Sequence, residues 1–221
     1  MSIYYYPFIG ALILVVSLLI RAEFAEKIKQ IYIFKPTATV LIIIIAGLSL
    51  FTPEPHHLSY NSGILVGLIF SLAGDIALMF KSARAFLFGL VFFLITHIIY
   101  SIVFTAHSGF VRMDWVTAIV LLVLAILIYI YLYSGLGEMK LPVMCYVLVI
   151  SFMMHRALST FSGTFFNANQ AWAIALGAGL FYLSDLILAI NKFKRPLKYN
   201  RLSLACYFSG QLLIALSTGL F

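Results

Sequence analysis

The stretch SGILVGLIFSLAGDIALMF, residues 62–80, decides the class of fold. It is about as long as a helix must be to cross the hydrocarbon core of a bilayer, and it carries one ionisable side chain, Asp75. Its apolar residues run continuously and do not alternate as in the strands of a membrane barrel. Similar runs occupy about 4–20, 31–50, 85–106, 115–133, 141–158, 171–190 and 202–220. Of the 221 residues 64% are apolar and only 10% are charged, and the mean hydropathy is +1.11. Soluble domains carry roughly 25% charged residues, so this chain has too little polar surface to cover a soluble core. The same balance excludes disorder, collagen and coiled coil. The reading is an all-α, polytopic integral membrane protein: eight transmembrane helices in one domain over residues 1–221, with no room for a second soluble domain.

The lysines and arginines orient the bundle. Arg21, Lys27, Lys29, Lys35, Lys81, Arg84, Lys140, Lys192, Lys194, Arg195, Lys198 and Arg201 fall in or beside the odd-numbered loops, whereas the even-numbered loops hold only Arg112 and Arg156. This split puts the odd loops in the cytoplasm and both termini outside it, in the inner membrane if the host is bacterial. The net charge of +7 is thus the pattern of a membrane protein, and no basic tract is long enough to hold nucleic acid. The N-terminus has no basic region ahead of its first apolar run and reads as a retained helix. Cys145 and Cys206 both lie in apolar runs and read as small buried hydrophobes. Laid over itself at an offset of 110, the chain puts Asp75 on Asp185 and Gly67 on Gly177. A shorter insertion then puts His97 on Gln211, the trace of a parallel four-helix repeat.

Ionisable residues inside spans are costly and mark function by default. Asp75 precedes Lys81 by six residues and Asp185 precedes Lys192 by seven, so both carboxyls are expected roughly 10 Å from the cytoplasmic end. They are the candidate catalytic residues; the bland alternative is a polar contact pinning two helices. Gly63, Gly67 and Ser71 precede Asp75 at steps of four, and Gly74 adds room beside it. That stripe lets a neighbouring backbone approach or leaves a slot next to the acid. Tyr182, three residues before Asp185, is placed to donate into the same region. Lys35, followed by Pro36, is either a lysine reaching for the interface, a cation for lipid phosphate, or the partner of one acid. His97, Tyr207 and Gln211 are polar residues that do not belong in lipid. Lys35, Ser71, Gly74, His97, Tyr182, Tyr207 and Gln211 are therefore the candidate substrate-binding residues. His155 and Arg156 fall at the outer end of span six, where Arg156 reads as a loop or lipid contact.

The five histidines form no compact ligand pattern, and His56–His57 is flanked by prolines in an outer loop. No GxSxG elbow, phosphate-binding loop or GxGxxG run occurs. No metal and no cofactor are expected.

The runs FSLAGDIALMF (70–80), FLFGLVFFLITHIIY (86–100), ISFMMHRAL (150–158) and LFYLSDLILAINKF (180–193) resemble the YhhN/TMEM86 membrane proteins, as does KPTAT at 35–39. The resemblance spans about residues 30 to 217. It implies eight membrane helices and lysoplasmalogenase activity: cleavage of a vinyl ether to a fatty aldehyde and glycerophospho-ethanolamine or glycerophospho-choline. It implies that the paired acids are Asp75 and Asp185, that the histidine of span four is His97 and that the arginine of span six is Arg156. The chemistry suits two carboxyls. Enol-ether hydrolysis needs an acid to protonate the outer alkene carbon and a carboxylate to stabilise the cation and take a proton from water. Two nearby carboxyls sharing one proton supply both roles. The expected partners are a lysophospholipid substrate and membrane lipid, not nucleic acid. A second reading from a different class is a carrier or lipid-handling protein with Asp75 and Asp185 as a proton or cation site.

Overall fold

A computed structural model of the protein describes residues 4–51, 57–110 and 114–219. His56, Arg112 and both chain termini lie outside the described residues. Among those described there are eight α-helices and no strand. They are α1 (Tyr5–Phe24), α2 (Ile28–Leu48), α3 (Leu58–Leu78), α4 (Ala83–Ser108), α5 (Asp114–Leu132), α6 (Lys140–Ser159), α7 (Ala168–Phe193) and α8 (Ser203–Ser217). Seven helical segments are long and apolar enough to cross a membrane by themselves. Helix α8 has 15 residues and is shorter than the run read from sequence: a 3-10 turn over Asn200–Leu202 takes the first residue of that run, and the α-helix ends at Ser217.

Local chemistry sets the helix ends. The expected start of span seven near residue 171 is corrected to Ala168 by a capping box that apolar patterning does not register. Asn167 Oδ1 accepts from the Gln170 backbone N–H at 3.0 Å, and Gln170 Oε1 accepts from the Asn167 N–H at 3.0 Å. Ser82 caps α4 by accepting from the Ala85 N–H at 3.1 Å. Helix α2 begins at Ile28, so Lys35 lies two turns inside it and not at its edge.

Chain neighbours other than α4 and α5 pack closely, and further contacts, chiefly α4 with α6 and α2 with α8 and to a lesser extent α8 with α1 and α3, close the bundle. The glycines decide how closely. A Cβ on Gly177 would stand 2.8 Å from the Gly210 carbonyl oxygen, and one on Gly210 would stand 2.7 Å from that of Gly177. The backbones of α7 and α8 therefore touch. On α3 the small-residue stripe is filled, not open: Gly63 faces Val103, Gly67 faces Tyr100 and Gly74 faces the Phe93 ring, all from α4. The expected slot beside Asp75 is occupied by these side chains.

Helix α5 packs mainly on α6. Its Val116, Ile119, Val120, Leu127 and Ile130 are each more than half exposed. A helix apolar on every face, with most of it bare, is at home in lipid. The chain is an integral, multi-pass membrane protein. Cys145 and Cys206 are free and only partly buried.

Candidate active site

Each of the two intramembrane acids has its own set of partners. Asp75, on α3, is 1% exposed. Its Oδ2 accepts from Thr39 Oγ1 of α2 at 2.5 Å and from the Tyr207 hydroxyl of α8 at 2.7 Å. Lys35 Nζ of α2 stands 3.5 Å from Oδ1. Lys35 and Thr39 reach the same carboxyl because residues four apart share a helix face. A buried carboxylate with a cation and two donors has its charge and most of its lone pairs matched.

Asp185, on α7, accepts at Oδ2 from the Tyr146 hydroxyl of α6 at 2.5 Å. His97 Nε2 of α4 stands 3.3 Å from the same oxygen and 3.0 Å from the Tyr146 hydroxyl. His97 is fully buried and its Nδ1 has no hydrogen-bond partner. An unpaired acceptor is less costly than an unpaired N–H, so the network assigns the ring proton to Nε2. Asp185 lines a cavity, an apolar chamber with Leu90, Phe93, Tyr146, Ile150 and Tyr182 in its wall. Of the candidate site residues, Asp185 and Tyr182 line this chamber, and Asp75, Lys35, Tyr207 and Gln211 do not. Rings from α4 and α7 lie between the two clusters: Phe181 packs on both His97 (4.6 Å between centroids) and Tyr207 (5.1 Å), and Phe93 packs edge-on to Tyr207 at 5.6 Å.

The remaining sequence candidates divide accordingly. Tyr182 lines the chamber, and its hydroxyl is 3.0 Å from Ser151 Oγ. Gln211 and Ser71 lie one turn beyond Tyr207 and Asp75, where Gln211 Nε2 donates to Ser71 Oγ at 2.7 Å. Tyr100 donates to Gln211 Oε1 at 3.0 Å, and Ser71 donates to Thr96 Oγ1 at 3.2 Å. Because α3 and α8 run antiparallel, Asp75–Tyr207 and Ser71–Gln211 are successive rungs of one buried polar ladder. Gly74 is covered by Phe93 and offers no open surface.

Lys35 also reaches a second, polar cavity, a vestibule lined by Glu23, Asn191, Lys192, Asn200 and Arg201. Leu78, Phe86 and Leu188 line both this vestibule and the chamber, so the two adjoin.

Arg156 is corrected outright: it is neither a loop nor a lipid contact but fully buried. Its Nη1 pairs with Asp114 Oδ2 at 3.2 Å, and its Nη2 donates to Ser108 Oγ at 2.8 Å and to the Gly109 carbonyl. Its guanidinium carbon lies 4.3 Å from the centre of the Phe110 ring. Ser159 Oγ adds a hydrogen bond to Asp114 Oδ1 at 2.8 Å. This cluster ties the start of α5 and the end of α4 to α6.

Sequence reasoning missed Thr39, Tyr146 and Asp114. Thr39 was legible as the position four after Lys35. Nothing in the spacing separates Tyr146 from the other twelve of the 13 tyrosines. Among the described residues, no three His, Cys, Asp or Glu side chains group closely enough to hold a metal.

The YhhN family model matches residues 30–218. Lysoplasmalogenase TMEM86A of Bos taurus is 36% identical over 159 residues, which is 70% of this chain and 64% of the relative. TMEM86A of Homo sapiens matches with the same identity and extent. The uncharacterized membrane protein YhhN of Escherichia coli O157:H7 is 27% identical over 200 residues, covering 90% of this chain and 91% of the relative. The match spans somewhat less than two thirds of the TMEM86A chains, and most of the length of the bacterial one. No solved structure matches.

Proposed function

From the premise that the chain belongs to the YhhN family, we propose that it is a hydrolase that cleaves the vinyl ether of a lysoplasmalogen. The products are a fatty aldehyde and a glycerophospho-ethanolamine or glycerophospho-choline. The observation that carries this reading is Asp185, a carboxyl in the wall of an apolar chamber with two donors, Tyr146 and His97, both on Oδ2. The relatives named lysoplasmalogenase support the substrate class.

The two carboxyls take different parts. In its acid form Asp185 gives a proton to the outer alkene carbon. The π electrons form the new C–H bond, and the ether oxygen shares its lone pair to make an oxocarbenium ion. Negative charge then grows on the Asp185 carboxyl, and the Tyr146 and His97 donors are already aimed at the oxygen that receives it. The carboxylate stabilises the neighbouring cation and takes a proton from the attacking water, as in glycoside hydrolysis. The hemiacetal collapses: the C–O bond breaks, the glycerol oxygen takes a proton and the aldehyde leaves. Asp75 supplies the standing negative charge that fixes Lys35 and Tyr207 behind the Phe93 and Phe181 rings.

The helix neighbours also support a parallel repeat. Asp75 takes partners from α2 and α8, and Asp185 takes them from α6 and α4, which is the same pattern moved on by four helices. Eight crossings with the basic end of the bundle in the cytoplasm complete the reading.

The test is aldehyde release from a lysoplasmalogen by the purified protein in detergent, without added metal or nucleotide. The wild type is expected to release aldehyde and to leave the matching acyl lysophospholipid intact. Asp185→Asn is expected to lose turnover while folding normally. Full turnover in Asp185→Asn, or none in folded wild type, overturns the reading.

A further inference from the structure

The vestibule beside the chamber contains charges of both signs, and they are unevenly matched. Lys35 is paired with Asp75 at its inner edge. Arg201 Nη1, in the 3-10 turn before α8, pairs with Glu23 Oε2 of α1 at 3.2 Å, and the Arg201 side chain is 44% exposed. Lys192 Nζ lies 5.0 Å from the centre of the Phe86 ring and, among the described residues, makes no ion pair with a carboxylate. Phe86 lines both cavities. The unmatched cation thus stands where the polar cavity meets the apolar one.

We infer that this vestibule seats a zwitterionic phosphodiester head group, with the phosphate between Lys192 and Arg201 and the ammonium on Glu23. The inference rests on the hydrolase reading of the chamber. A phosphate entering here takes the free charge of Lys192 and draws Arg201 into a charge-assisted contact. Glu23, released from Arg201, is left facing the positive end of the same head group. A single-chain lipid carries its head group a few bonds from the ether oxygen. A head in the vestibule therefore puts the chain across the shared wall of Leu78, Phe86 and Leu188 and into the chamber where Asp185 stands. A phosphate-free alkenylglycerol presents the same vinyl ether without these contacts.

The experiment compares kcat/KM for lysoplasmenylethanolamine and for 1-O-alkenylglycerol, using the full-length protein in detergent. Wild type should favour the phospholipid by about tenfold or more, the worth of one or two charge-assisted contacts. In Lys192→Ala/Arg201→Ala this preference should fall towards one, through KM and not kcat. In Glu23→Gln the preference for lysoplasmenylethanolamine over the alkenyl lysophosphatidic acid, which has the phosphate but no ammonium, should shrink. A double variant that keeps the wild-type preference overturns the proposal. If folded wild type releases no aldehyde, the hydrolase reading fails by itself, and calorimetric binding of an uncleavable 1-O-alkyl lysophosphatidylethanolamine decides the head-group site. Binding weakened about tenfold by the double variant supports the site, and undiminished binding overturns it. Soluble glycerophosphoethanolamine should compete weakly. Competition equal to that of the lipid would assign the vestibule to soluble phosphate esters and overturn the lipid assignment.

Discussion

The Tyr146 hydroxyl donates to Asp185 Oδ2 at 2.5 Å, from one helix to the next across the wall of the apolar chamber. A donor fixed in a site from which water is excluded matters most when charge develops on its acceptor. Tyr146→Phe removes only that hydroxyl. It should lower kcat for aldehyde release by about a hundredfold, the usual effect of losing one preorganised donor, with KM nearly unchanged. His97→Gln keeps a donor and should cost less than His97→Leu. A Tyr146→Phe variant with wild-type kcat would remove this hydroxyl from the reaction.

Lys35 and Asp75 are a buried ion pair, 3.5 Å apart with side chains 9% and 1% exposed. Removing one partner strands the other charge away from water, which costs about 3–5 kcal/mol. Lys35→Met and Asp75→Asn should each lower the thermal midpoint in detergent. The double variant should be less destabilised than the sum of the two, because neither charge remains. Strict additivity in this cycle would mean that the two side chains do not interact.

Arg156 and Asp114 are linked at 3.2 Å at the end of the bundle away from Lys35. Arg156→Leu should destabilise the fold by about 3–5 kcal/mol, because it breaks the buried ion pair with Asp114. Whatever fraction folds should keep the wild-type KM, because neither chamber nor vestibule includes Arg156. A rise in KM with unchanged stability would place Arg156 in substrate binding instead.

Topology follows from the basic residues gathered in the odd-numbered loops. Reporters that work only in the cytoplasm should be silent when fused to either end of the chain and active when inserted in the turn after α3 at Lys81. An active C-terminal fusion would reverse the orientation or remove a crossing.

By itself the sequence determined the helical membrane fold, the positions of the spans and which residues are anomalous within them. The reason is that hydrocarbon penalises each exposed backbone or charged group one at a time, so length, apolarity and the rarity of charge are read residue by residue. Asp75, Asp185, Lys35 and His97 stood out for that reason. Only the tertiary structure decided what each one touches. That Tyr146 and not Tyr182 bonds Asp185, that Arg156 is buried on Asp114, and that Phe93 fills the space over Gly74 all depend on helices brought together from distant parts of the chain. It likewise separated two acids that sit at matching places in their own helices, by inserting rings from α4 and α7 between their partners. Depth along a helix follows from counting residues, but the face presented to a neighbour and the filling of the gap between helices follow from packing that no single segment encodes.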